Sequence, residues 1–174
     1  SGLSGHCPPH VRRSPVFLRT MNILVANLVS TSFKYRLFRF EGTGETLLAK
    51  GGYERVTDYG EAIDSCLESL RSAGHLKTAD DLQGVGFKTV LGDGITGCVD
   101  ADERVEEALL RCADLAPAHN PPYARGIRRF RERLPRVPRV ALFETAFYQW
   151  VPEYANRYAV PDSWYEAGVR RHGF

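Results

Sequence analysis

Directly after the apolar run Ile23–Ala26 the chain reads NLVSTSFK, from Asn27 to Lys34. Three hydroxyls (Ser30, Thr31, Ser32), an amide and an ammonium in one short turn are groups that grip phosphate oxygens. Backbone N–H groups point inward and Lys34 adds a point charge. The same spacing also suits a solvated β-turn, and alone it leaves both readings open. A second stretch, GVGFKTVLGD (Gly84–Asp93), places Lys88 inside an apolar strand, where an ammonium is costly without a partner. An anionic substrate would supply one; so would water, reached by a snorkelling edge-strand lysine. In LAPAHNPPYARGI (Leu115–Ile127), His119 precedes Asn120 and two prolines, and either faces a site or packs at a helix start. In ALFETAFYQW (Ala141–Trp150), Glu144 ends an apolar strand, where open α/β sheets place reacting groups. A carboxylate there holds a metal or orients a nucleophile, or pairs with one of the chain's arginines.

The elements that must position these groups follow from periodicity. Asn22–Leu28 is a continuous apolar strand, as expected for one buried on both faces. Lys34–Phe40 alternates as a second strand, Glu41–Glu45 is a glycine-containing turn, and Thr46–Val56 is a third strand with a possible break at Gly51–Gly52. Thr57 or Asp58 caps a helix over Tyr59–Ala73, with Ala62, Ile63, Cys66, Leu67 and Leu70 on one face. Leu82–Leu91 is a fourth strand. Asp100 caps a helix to Cys112 with Glu103 as its capping-box partner, turning Val105, Ala108, Leu109 and Cys112 inward. Asn120 with Pro121 and Pro122 starts a helix to about Leu134, with Ala124, Ile127, Phe130 and Leu134 inward. Arg139–Thr145 is a last strand, and a short helix lies around Ser163–Ala167. Three meandering strands followed by crossovers match a ribonuclease H-like α/β layout.

Composition bounds the function classes. The chain has 174 residues, 43% hydrophobic and 25% charged, with a formal net charge of +2. That is one substantial core and too little charge to argue for nucleic acid by itself. Seven arginines fall between Arg125 and Arg139, but they surround a helix without interleaved aromatics for base stacking, which favours a solvated face. No apolar run approaches the ~18–20 residues of a membrane helix. Cys7, Cys66, Cys98 and Cys112 show neither CxxC pairing nor zinc spacing, which points to reduced thiols and a cytoplasmic setting. Met21, the one methionine, reads as the natural start. Residues 1–20 then form a disordered upstream extension, with too short an apolar stretch for a signal peptide.

Taken in order, these stretches resemble the N-terminal part of the acetate kinase family. NLVSTSFKYRLF resembles the family's N-x-G-S-S-S-x-K opening, and GVGFKTVLGD its G-H-R-x-x-H-G-G. LAPAHNPP resembles L-A-P-L-H-N-P, FETAF resembles F-D-T-A-F, and YAVPDSWYEAGVRRHGF resembles the motif that follows. The resemblance implies an incomplete domain of the actin-like and sugar-kinase superfamily, a mixed sheet flanked by helices. Residues 21–174 would be the N-terminal domain, without the nucleotide-binding domain. It implies a short-chain carboxylate kinase that moves the ATP γ-phosphoryl group to acetate or propionate with Mg²⁺, homodimeric when whole, and inactive as this fragment. The alternative is a diverged, non-catalytic homologue that serves as a binding protein.

Carried over residue by residue, the resemblance implies that Asn27 lies at the Mg²⁺–phosphate group. Ser30 and Ser32 would line the phosphoryl path and Lys34 would approach the nucleotide phosphates. Lys88 would hold the substrate carboxylate, Val90, Ala118 and Phe174 would surround its methyl group, and Glu144 would be the catalytic carboxylate that orders the metal. Several of these depart from the family pattern. Val29 replaces a glycine, which implies a strained or reshaped turn. Lys88 replaces an arginine and its planar fork, and Glu144 replaces an aspartate. Leu91, Asp93 and Tyr148 also differ. Ala118 replaces a leucine, which implies a roomier acyl pocket and a preference for propionate or a longer acid.

Overall fold

The computed structural model describes residues 20–171 and 173. The upstream extension, apart from Thr20, and Phe174 therefore lie outside the described residues. Six strands form one mixed sheet: β1 (Met21–Val29), β2 (Ser32–Glu41), β3 (Gly44–Glu54), β4 (Gly84–Thr89), β5 (Gly97–Asp100) and β6 (Arg139–Phe143), in the spatial order β3-β2-β1-β4-β6-β5. β1, β4 and β6 are parallel; β2, β3 and β5 run against their neighbours. The helices are α1 (Tyr59–Ser72), α2 (Glu103–Arg111), α3 (Asn120–Arg133), α4 (Glu153–Asn156) and α5 (Asp162–Glu166).

The period-two pattern of the strands assigns the two faces of the sheet. Leu24, Ala26, Leu28, Phe33, Tyr35, Leu37, Val85, Phe87, Ala141 and Phe143 point to one side, where they join the apolar stripes of α1, α2 and α3 in one core. Phe130 of α3 stands at its centre, edge-on to Phe33 and Phe87 at ring separations of 5.9 and 5.3 Å. α3 approaches β1 closely at Gly126, where an added Cβ would overlap a methyl of Leu28. On the other face Val25, Val140 and Leu142 are exposed. The inward residues expected for all three long helices are buried.

Local differences from the expectations have physical causes. β3 runs unbroken through Gly51 and Gly52, which pair with Tyr35 and Lys34; the irregularity lies where Leu37 and Phe38 meet Ala49 and Leu47. Gly51 is required because a side chain there would enter the ring of Tyr35. Asp100 belongs to β5, and α2 is capped instead by Asp102, whose carboxylate accepts from the Val105 N–H at 3.1 Å. Asn120 is the first residue of α3 and fully buried. Its Nδ2 donates to the Leu91, Leu109 and Cys112 carbonyls, tying α2, α3 and the end of β4 together.

The arginines of α3 are largely paired inside the fold. Arg128 and Arg131 flank Glu106, whose side chain is 3% exposed. Arg133 pairs with Asp64 and Arg136 with Asp80. Cys66 and Cys112 are buried free thiols and Cys98 an exposed one. No described helix is long and apolar enough to cross a membrane.

Candidate functional site

The parallel strands β1, β4 and β6 end side by side, and three of the motif residues stand there. Asn27 is near the end of β1, Lys88 near the end of β4, and Glu144 directly follows β6. Lys88 falls on the open face because its neighbours Phe87 and Thr89 are buried against the helices. Its ammonium meets the Glu144 carboxylate at 3.0 Å. β4 lies inside the sheet, so Lys88 is not an edge-strand cation, and Glu144 pairs with it instead of with an arginine: two separate motifs supply the two halves of one ion pair. Both side chains keep solvent contact, 56% for Lys88 and 34% for Glu144.

Asn27 is half-buried, and its Oδ1 accepts a hydrogen bond from the Tyr123 hydroxyl at 2.6 Å. Lys34 lies opposite Asn27 in the β1–β2 ladder, exposed and 3.5 Å from Glu54. These residues border a groove of about 720 Å³ on the open face, into which Arg36, Lys50 and Lys88 also look. Four cations against Glu54 make it an anion-attracting surface. Arg36 and Lys50 were not legible as site residues. The alternation that pairs Arg36 with Lys50 across β2 and β3 carries the signal, but it depends on a register unknown before folding.

The NLVSTSFK turn is a two-residue hairpin, Ser30–Thr31, closed by Val29 and Ser32. Val29 is an ordinary strand residue. The positive backbone angle falls on Ser30 (φ 37°), so of the two expectations for Val29, a strained or a reshaped turn, the turn is reshaped. Nor does the turn present its first N–H to a ligand: Ser30 N–H donates to the Ala118 carbonyl at 3.0 Å, and the Ser30 carbonyl accepts from Tyr59 at 3.1 Å. Ser32 Oγ donates to the Val29 carbonyl at 3.3 Å. The Ser30 side chain itself is exposed. The bond to Ala118 brings the LAPAHNPP loop onto the hairpin, with Ala118 exposed beside it. His119 occupies the cap position of α3 without a side-chain capping bond.

Val90 stands apart. It is 2% exposed and packs with Leu91 and Cys112 beneath the strand ends. Leu91, Ile95, Thr145 and Tyr148 line a second hollow of about 260 Å³ beyond Glu144. Asp93, with φ 47°, pairs with Arg111 at 2.6 Å.

Burial governs the titrating groups around the site. It pushes the Tyr123 phenol well above the usual tyrosine range, against the Leu28 N–H, which favours the phenolate; the Glu144 carboxylate adds to the rise. Tyr59 is raised for the same first reason, with Arg125 opposing it. Among the described residues no three His, Cys, Asp or Glu side chains gather to hold a metal by themselves. A lone carboxylate such as Glu144, beside an anion-attracting groove, nevertheless suits Mg²⁺ that arrives with a nucleotide, since Mg²⁺ takes most of its ligands from water and phosphate.

Residues 49–174 match the model of the Acetokinase family. The chain is 36% identical to the acetate kinase of Natranaerobius thermophilus, over 88% of its own length and 45% of that protein. It is 38% identical to the acetate kinase of Geobacter sulfurreducens, covering 42% of it. The structure is similar to the crystal structure of Porphyromonas gingivalis acetate kinase, with a TM-score of 0.77 and 29% identity over 88% of this chain and 45% of that one. It is also similar to a propionate kinase from Francisella tularensis, with a TM-score of 0.69 and 26% identity over 88% and 44%. The chain thus spans less than half the length of the relatives it matches. Its sheet is that of the actin-like, ribonuclease H-like kinases, and on the extent of the family match the chain belongs to the Acetokinase family.

Proposed function

We propose that this chain is the carboxylate- and phosphate-binding part of a short-chain carboxylate kinase, which transfers the ATP γ-phosphoryl group to acetate or propionate. The observation that carries this reading is the meeting of Asn27, Lys88 and Glu144 at the ends of three adjacent parallel strands, beside a cationic groove. In the reaction a carboxylate oxygen forms a bond to the γ-phosphorus. The bond from that phosphorus to the β–γ bridging oxygen breaks, and ADP leaves with the electron pair. Such transfer needs in-line positioning and charge neutralisation more than covalent help.

Lys88 would fix the substrate carboxylate. To do so it exchanges Glu144 for the substrate, a swap that their shared solvent exposure permits. Lys34 would meet the nucleotide phosphates, with the Ser30 and Ser32 hydroxyls along the phosphoryl path. Glu144, released from Lys88, would hold the Mg²⁺; when bound, Mg²⁺ neutralises charge on the phosphate oxygens. Ala118 would leave room for an acyl chain longer than acetate, and Phe174 would close that pocket. The dimeric state, and a cytoplasmic setting, belong to the same reading of the whole protein.

The test is acyl phosphate formation from acetate, propionate and butyrate at saturating MgATP, by a polypeptide of full family length that carries this chain. We expect turnover, with propionate or butyrate preferred to acetate, and none from the 174-residue chain alone. Equal or better use of acetate sinks the specificity; absence of turnover by the whole protein sinks the activity and favours the non-catalytic homologue.

A further inference from the structure

Tyr123 belongs to none of the residues that the motifs single out, yet it is 1% exposed and the largest fully buried side chain described. It lies on the first turn of α3, with its hydroxyl 2.6 Å from Asn27 Oδ1. A phenol carries one proton, and where that proton goes decides how the amide is held. In the β1–β2 hairpin, hydrogen-bonded pairs alternate with non-bonded ones starting from the closing pair Val29–Ser32. Leu28, opposite Phe33, therefore turns its N–H away from β2 and toward β4. The ladder between β1 and β4 has already ended at Ala26–Phe87. The Tyr123 oxygen faces that N–H, and its hydroxyl donates to Asn27 Oδ1 at 2.6 Å. Its own proton then goes to Asn27, and of the amide's two ends only Oδ1 can accept it.

From this we propose that Tyr123 is a positioning residue that locks the Asn27 amide with Oδ1 turned inward and Nδ2–H₂ facing the groove, so that Asn27 donates to a phosphate oxygen instead of ligating metal. The inference rests on the reading of the groove as a phosphate site. An unlocked amide presents oxygen as readily as nitrogen, and an oxygen turned toward phosphate repels it. The lock removes that orientation, while Lys34 and Lys88 on either side supply the charge.

The test uses the 174-residue chain with inorganic phosphate and Mn²⁺ as separate probes. It reads calorimetric affinities and the side-chain amide signal of Asn27, assigned by its loss in Asn27→Asp. Phosphate should shift that signal, and Mn²⁺ alone should leave its line width unchanged in Glu144→Gln, which lacks the nearby carboxylate that would otherwise hold the ion. Tyr123→Phe and Asn27→Ala should each weaken phosphate binding roughly tenfold, and the double variant should be no weaker than the worse single one. Asn27→Asp keeps the acceptor for Tyr123 but turns a negative oxygen to the groove. It should abolish phosphate binding and create a Mn²⁺ site, a result that does not depend on how well Tyr123→Phe folds. Broadening of the Asn27 signal by Mn²⁺ in Glu144→Gln, with no response to phosphate, overturns the donor role. Losses in Tyr123→Phe and Asn27→Ala that simply add overturn the lock alone. A wild-type chain that binds no phosphate overturns the donor role together with the reading of the groove.

Discussion

Two ion pairs of nearly equal length sit at opposite ends of this domain's chemistry. Glu106 lies between Arg128 and Arg131 at 3.1 and 3.4 Å, with its carboxylate almost wholly withdrawn from water. Lys88 and Glu144 meet at 3.0 Å, with more than half of the lysine and a third of the glutamate still wet. Distance does not separate them; solvent does. A buried carboxylate without its cations has no other partner, so the first pair is structural glue between α2 and α3. The second can exchange partners with water or an incoming anion at small cost. The same contrast holds for the sheet: its covered face is locked by packing, and its open face carries removable charges.

The largest effect should come from stranding the buried carboxylate. Arg128→Ala with Arg131→Ala should lower stability by about 3–5 kcal/mol, measured by urea unfolding; a loss under about 1 kcal/mol would make the two pairs equivalent. Gly126→Ala should come next. Its methyl would drive into Leu28, and Leu28 is fully buried, so overpacking should cost about 1–3 kcal/mol. Thermal melts that match wild type would show that α3 can lift from β1 freely.

The third prediction titrates the covered face. Burial pushes the Cys66 thiol up to about 12, from 9.0. The unfolded chain thus loses this proton near pH 9 while the folded chain keeps it. The contribution is complete below pH 9 and is lost progressively as pH rises toward 12, at about 1.4 kcal/mol per pH unit. Tyr35, Tyr59 and Tyr123 are also raised and act in the same direction. Cys66→Ala should flatten the alkaline slope of stability; an unchanged slope would place the thiol in water. Smallest of all should be Lys88→Ala, which removes the exposed pair for less than about 1 kcal/mol of stability. A larger loss would mean that Lys88 holds the fold together and is not free to exchange Glu144 for a ligand.

Legibility differed between these regions for the same reason. The stripes of α1, α2 and α3 were readable because a helix repeats its core face every three to four residues. The four-residue β5 was not: residues 97–100 alternate between half-buried and exposed, and nothing local distinguishes that from a turn. Glu144 and Lys88 could each be marked as chemically odd, but not as one another's partner. Asn120 read as the start of a helix and proved to be a buried tie among three carbonyls. The hairpin's N–H groups suited either a phosphate or a solvated turn, and at Ser30 a carbonyl far along the chain, at Ala118, claims the N–H.

By itself the sequence determined the three long helices and the short α5, five of the six strands, the covered face of the sheet, and the motifs that carry the family resemblance. All of these depend on side-chain type and spacing along a few turns or a few strand residues. Only the tertiary structure decided which way polar groups point. Hydrogen-bond direction at Ser30, Asn27 and Asn120 is set by partners 8 to 96 positions away. A local pattern can place a donor at a strand end, but the partner that takes its proton comes from elsewhere in the fold.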